Sequence, residues 1–186
     1  MEIAQKNCII IHGCSSPEDK TYNKHWMPWT KNELNKKGIP TETPLMPEPW
    51  APVYKNFKKE FEKLEVNENS ILVGHSCGCA FLVHWLGDSK QKIHKLILVA
   101  PWKVGSDVSP VAKQFYTWTI DKSIKDRVDQ IIMFTADNEA IQGKNGLKMF
   151  HDAFGGKIIN IPGYGHYCFS NMNTEEFPQL IEAILE

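Results

Sequence analysis

Short apolar runs alternate with stretches of helical spacing along this chain. Asn7-Cys8-Ile9-Ile10-Ile11-His12 is the first run and passes directly into Gly13. Thr41 to Met46 is a weaker one, interrupted by Pro44, which suits a strand at a sheet edge. Ser70 to His75, Lys95 to Ala100, Gln130 to Thr135 and Lys157 to Ile161 complete the series. Runs that stay apolar, rather than alternating with polar residues, predict parallel strands covered on both faces. Between them, Pro28 is placed to open a helix that ends near Lys37-Gly38. Val53, Phe57, Phe61 and Leu64 recur at spacings of four, four and three, which predicts an amphipathic helix over 52–65. Residues 78–87 are apolar almost all round and predict a buried helix. Leu147, Phe150 and Phe154 mark another, and Leu180, Ile181, Ile184 and Leu185 mark the last.

Strands alternating with helices predict an α/β fold: a three-layer sandwich, with about six parallel strands and helices on both faces. The length of 186 residues fits one domain over 1–186, with no separate cap domain. One connection exceeds a minimal crossover. Residues 101–128 contain Trp102, Phe115, Tyr116 and Trp118, and are read as a flap over one end of the sheet.

Composition narrows the partners. The chain carries 21 Lys+Arg against 22 Asp+Glu, and Arg127 is the single arginine. Nucleic-acid surfaces use clustered cations and arginine forks, so nucleic-acid binding is not expected. A strongly anionic substrate held by an arginine clamp is disfavoured for the same reason. No apolar stretch reaches 18 residues, so no spanning helix and no membrane partner are expected. The N-terminal residues carry no basic leader, which predicts a cytoplasmic location. Cys8, Cys14, Cys77, Cys79 and Cys168 show no CxxC spacing, so reduced thiols and no metal site are expected.

Gly74-His75-Ser76-Cys77-Gly78 is a G-x-S-x-G pentapeptide, set between an apolar strand and a buried helix. This is the context a nucleophile elbow requires: a sharp strand-to-helix turn that lifts a serine hydroxyl above the sheet. A serine hydroxyl needs a base, and the base needs an orienting acid, on loops after later strands. Asp137 follows the fifth strand and His166 the sixth, giving Ser76, Asp137 and His166 as the candidate triad; Asp107 is the reserve acid. His75 is expected to pack against its neighbours and point away from Ser76. The backbone N–H of Cys77 is the first oxyanion donor, and the second comes from the loop after the first strand, with Cys14 preferred over Ser15. Cys14 or Cys77 as the nucleophile is a rival reading, although neither occupies the elbow tip. Trp26, Trp29 and Trp102 are candidate walls of an apolar substrate pocket, with core packing as the alternative.

Asn23-Lys24-His25-Trp26-Met27-Pro28-Trp29, following His12-Gly13, together with Gly74-His75-Ser76-Cys77-Gly78, resembles the small serine hydrolases typified by retinoblastoma-binding protein nine. The YdeN-like bacterial proteins are the nearer part of that resemblance. It implies a compact α/β-hydrolase-type fold and an esterase-like serine hydrolase with Ser76, Asp137 and His166 as its triad. A small-molecule acyl substrate is expected, with no cofactor. No Leu-x-Cys-x-Glu segment surrounds any cysteine, so retinoblastoma-protein binding does not carry over. An acyltransferase with the same triad and a catalytically silent interaction protein remain as alternatives.

Overall fold

The computed structural model describes residues 6–103 and 110–186, without the side chains of residues 111 and 112. Six strands, β1 (Asn7–Ile11), β2 (Thr41–Glu42), β3 (Ser70–His75), β4 (Ile93–Val99), β5 (Val128–Thr135) and β6 (Lys157–Asn160), form one sheet. The order is β2-β1-β3-β4-β5-β6 and every pairing is parallel. All six expected strands are present. The edge strand is shorter than its run of residues suggested, because Pro44 has no N–H to extend the ladder.

Alternate residues of each strand enter separate cores on the two faces. Ile9, Ile11 and Leu72 pack with Phe57 and Phe61 of α2 (Tyr54–Phe61), Phe81 of α3 (Cys77–Ser89) and Phe150 of α5 (Ile141–Phe154). Cys8, Ile10 and Val73 pack with Trp26, with Met27 and Leu34 of α1 (Met27–Lys36), and with Leu180 and Ile184 of α7 (Pro178–Leu185). Both faces are therefore apolar, which is why the strands read as continuous apolar runs.

Three short elements have no strong apolar period: α4 (Pro110–Tyr116), a 3-10 turn at Lys122–Asp126, and α6 (Phe169–Met172). The expected flap over 101–128 falls partly on residues 104–109, outside the described residues. In the described portion, Phe115 stacks edge-on against Phe57 at 5.2 Å. The Tyr116 hydroxyl reaches Cys14 Sγ at 3.8 Å.

The order of the strands determines where a site can lie. After β1 the chain leaves toward β2, whereas β3 lies on the other side of β1. The connections beyond β1 and β3 thus diverge and open a crevice at the carboxyl ends of these neighbouring strands. The β6–α6 loop returns to this crevice and is fastened from two sides. Trp26 Nε1–H donates to the Tyr167 carbonyl at 3.1 Å, and the Tyr167 hydroxyl donates to the Thr135 carbonyl at 2.6 Å. Trp26 and Tyr167 are fully buried, so neither bond competes with water. Trp26→Phe leaves the Tyr167 carbonyl without its donor and opens a void beside it. It should destabilise the protein by about 1–3 kcal/mol, read as a lowered midpoint in chemical denaturation.

Candidate active site

Ser76 joins β3 to α3 with φ 53° and ψ −120°, a conformation that side-chain-bearing residues rarely adopt. The turn closes only because of its glycines. A Cβ on Gly74 would lie 2.8 Å from the Cys79 backbone, and one on Gly78 would lie 2.5 Å from the Ile11 carbonyl oxygen. Backbone bonds hold the strained residue: Ser76 N–H donates to Val99 O at 3.0 Å, and Ser76 O accepts from the N–H groups of Cys79 and Trp102, both at 3.1 Å.

The Ser76 hydroxyl meets His166 Nε2 at 2.9 Å. The other ring nitrogen, His166 Nδ1, lies 3.1 Å from both carboxylate oxygens of Glu139. A carboxylate only accepts, so Nδ1 carries the proton and Nε2 presents its lone pair to the serine. Glu139 has no exposed side-chain surface and His166 is half-buried.

This arrangement corrects the expected acid. Asp137 is on the proper loop, but its Oδ1 accepts from the backbone N–H groups of Gly163 at 2.8 Å and Asn138 at 2.9 Å. Those bonds, the Gly163 N–H first, hold its carboxyl below the usual aspartate range. Asn138 Oδ1 accepts from Gly165 N–H at 2.8 Å, so Asp137 and Asn138 clamp the loop that carries the histidine. Two residues further on, Glu139 reaches the ring. Its space is made by Gly143 in the first turn of α5, where a Cβ would stand 2.6 Å from the Glu139 carboxyl carbon. The sequence reading passed over Glu139; a glycine so near the start of a helix, with no turn to make, is the one signal in the sequence that could have marked it. Asp107, the reserve acid, lies outside the described residues.

A second correction concerns the cysteines. Cys14 and Cys77 form a disulfide, with S–S 2.01 Å and Cα–Cα 5.7 Å, across the crevice between β1 and β3. The direct parallel pairing of β1 with β3 brings the two residues together although 63 positions separate them. Neither sulfur is then a thiolate, which removes the rival cysteine nucleophile. Cys8, Cys79 and Cys168 are free thiols, as expected. Burial pushes Cys168, the half-buried one, up to about 11.

The tryptophans divide. Trp26 is wholly buried and belongs to the core, which corrects its reading as a pocket wall. Trp29 is half-buried against the same core. Trp102 lies at the site, its ring 5.5 Å from that of His166. Beside the histidine loop is a cleft of about 470 Å³, lined by His25, Lys24, Asp19, Cys168, Phe169 and Glu175. Another of about 470 Å³, between Lys6, Pro40 and Leu64, is at the opposite ends of the strands and has none of this chemistry beside it. Among the described residues, no three His, Cys, Asp or Glu side chains are grouped to hold a metal ion. None of the described helices is long and apolar enough to cross a membrane.

A parallel sheet with an elbow serine at its carboxyl edge and a histidine on the loop after the last strand defines an α/β-hydrolase-type fold. The family model for serine hydrolases matches residues 8–183, and the chain belongs to that family. YdeN of Bacillus subtilis is 24% identical over 174 residues, covering 86% of this chain and 89% of that protein. Its crystal structure superposes with a TM-score of 0.84 at 18% identity, covering 97% of both chains. Est1E of Butyrivibrio proteoclasticus, solved with ferulic acid bound, superposes at 0.64 with 15% identity over 97% of this chain and 86% of that one. A methylesterase protein of Arabidopsis superposes at 0.66 with 13% identity, covering 96% of this chain and 98% of that one.

His75, beside the serine, is built into the same loop system. Its Nε2–H donates to the His166 carbonyl at 2.8 Å, and Nδ1 is buried without a partner among the described residues. Burial, and then the neighbouring His166, hold its pKa well below 6.5, so the folded protein keeps it neutral. The unfolded chain takes up a proton as pH falls below about 6.5 whereas the folded one does not, so this group makes the protein less stable toward acid. His12 and His25 are lowered in the same direction by burial. Between pH 7.5 and 5, His75→Gln should lose less stability than wild type, by up to about 2 kcal/mol, in denaturation curves at the two pH values.

Proposed function

We propose that this serine hydrolase cleaves small carboxylic esters, and amides less readily, through an acyl-enzyme on Ser76, with His166 as base and Glu139 as orienting acid. The observation that carries the reading is the continuous chain from Ser76 Oγ through His166 to a buried Glu139.

In this mechanism His166 Nε2 takes the Ser76 proton as the hydroxyl attacks the ester carbonyl. The resulting imidazolium is stabilised by the Glu139 carboxylate, which also keeps Nδ1–H directed away from the serine. Negative charge on the carbonyl oxygen is met by the backbone N–H groups of Cys77 and Cys14. Cys77 is the first residue of α3, so its N–H precedes the helical ladder, and the positive end of the helix dipole adds to the field. Cys14 follows Gly13, whose Cα approaches so closely that a Cβ there would lie 3.0 Å from Ser76 Cβ. His166 then returns its proton to the leaving alcohol, and a water repeats the attack to free the acid.

The cleft beside the histidine loop and the face of Trp102 are the proposed seat of the substrate. Est1E with its ferulic acid, and the Arabidopsis methylesterase, share this fold and support an ester of modest size. A one-domain chain acting on a small acyl compound is the accompanying proposal.

Three substitutions separate the roles. Ser76→Ala should abolish fluorophosphonate labelling and hydrolysis of p-nitrophenyl esters. Glu139→Gln should lower kcat on the order of 10³- to 10⁴-fold, because the amide no longer fixes the imidazole tautomer. Asp137→Asn keeps the oxygen that accepts from Gly163 and should stay within a few-fold of wild type. The opposite ranking of the last two would return the acid's role to Asp137.

A further inference from the structure

The Cys14–Cys77 disulfide joins the two residues whose backbone N–H groups are the proposed oxyanion donors. Cys77 is held on the other side by the start of α3. Cys14 is not held in a regular element, because residues 12–26 between β1 and α1 form no strand or helix. The side-chain hydrogen bonds in the middle of this connection are local. Ser15 Oγ bonds to Ser16 O, Lys20 Nζ to Pro17 O, and Asp19 Oδ1 accepts from Thr21. Long-range ties occur at its ends, where His12 Nε2 accepts from Met46 N–H and His25 Nδ1 accepts from Phe169 N–H. Among the described residues, Cys14 itself is tied covalently to the body of the protein by the disulfide, supplemented by packing against the apolar core beneath α3 and by the 3.8 Å approach of the Tyr116 hydroxyl.

We propose that this disulfide is a positioning device for the oxyanion hole, and that a dithiol reductant lowers the hydrolase activity by breaking it. The proposal rests on the serine-hydrolase reading above. Oxidised, the bond holds the Cys14 and Cys77 backbones at a Cα–Cα distance of 5.7 Å, where Cys77 follows Ser76 in the chain and Cys14 follows Gly13, on which a Cβ would lie 3.0 Å from Ser76 Cβ. A donor held ready at the oxyanion position acts without reorganising during the reaction, and losing one typically costs 10²- to 10³-fold in kcat.

Reduction is balanced by the reductant. Its thiolate attacks Cys14 Sγ, the half-buried sulfur, since Cys77 is fully buried. Cys77 Sγ departs with the bonding pair as a thiolate, favoured by the positive end of α3, and takes a proton from solvent. The second thiol of the reductant then displaces Cys14 Sγ from the mixed disulfide. Two electrons have passed to the protein, and the reductant leaves as a cyclic disulfide. Freed, the Cys14 segment no longer keeps its N–H at the oxyanion position.

The test follows thiol count, kcat, KM and fluorophosphonate labelling before and after treatment with dithiothreitol, at a temperature where circular dichroism is unchanged. The oxidised protein should titrate three thiols under denaturing conditions, and the reduced protein five. On reduction, kcat and the labelling rate should fall by about tenfold or more with KM little changed, because the donors act on the transition state. Reoxidation should restore both. The double variant Cys14→Ser/Cys77→Ser should remain at the reduced level whatever the redox state. Five thiols before treatment, or equal kcat in the two proven redox states, overturns the proposal. Reduction that unfolds the protein at the assay temperature also overturns it, since the bond would then be a staple for the fold. Absence of hydrolysis and labelling in both states instead defeats the serine-hydrolase reading, and this proposal with it.

Discussion

The left-handed backbone of Ser76 is the constraint around which the site is arranged. A residue with a side chain at φ 53° is held there only when the surroundings leave no alternative. Here the surroundings are the two faces of one turn. Gly74 lets α3 fold back on β3, and Gly78 lets the first turn of α3 touch the end of β1. Bonds from Ser76 to Val99, Cys79 and Trp102 fix the turn in both directions. The strain positions a single hydroxyl, and the parallel sheet that supplies β1, β3 and β4 maintains it.

The histidine loop is the second half of the site, and it depends on different parts of the chain. Its carbonyls are taken by donors from two buried rings, His75 for His166 and Trp26 for Tyr167. Its amides at Gly163 and Gly165 are taken by Asp137 and Asn138. A loop with so many of its polar groups engaged carries His166 as firmly as a regular element would. The tryptophan segment before α1 thus serves the site from behind, as part of the core, rather than as a wall facing substrate.

Most of the architecture was legible because its signals are local. Apolar runs of five or six residues, helices of period 3.6 and a G-x-S-x-G between them are properties of short windows, and tertiary packing reinforced them. Ser76 and His166 were legible for the same reason, each lying at the end of a strand visible in the sequence. Glu139 was not. Asp137, Asn138 and Glu139 occupy one loop, and each has a polar side chain able to reach over the crevice. The choice among them turned on the backbone N–H groups of Gly163 and Gly165 donating to the side chains of the first two, and on Gly143 vacating a place for the third.

By itself, the sequence determined the layered α/β arrangement, the position of the elbow and the strand ends on which chemistry is borne, because periodicity and glycine placement act over a few residues. The tertiary structure alone decided which carboxylate faces His166, that Trp26 is core, and that Cys14 and Cys77 are partners. Each of those depends on contacts between segments distant in sequence, 27 positions for the acid and the histidine, 141 for Trp26 and Tyr167, and 63 for the disulfide. Such contacts follow from the order in which strands pair, and that order is a property of the whole sheet.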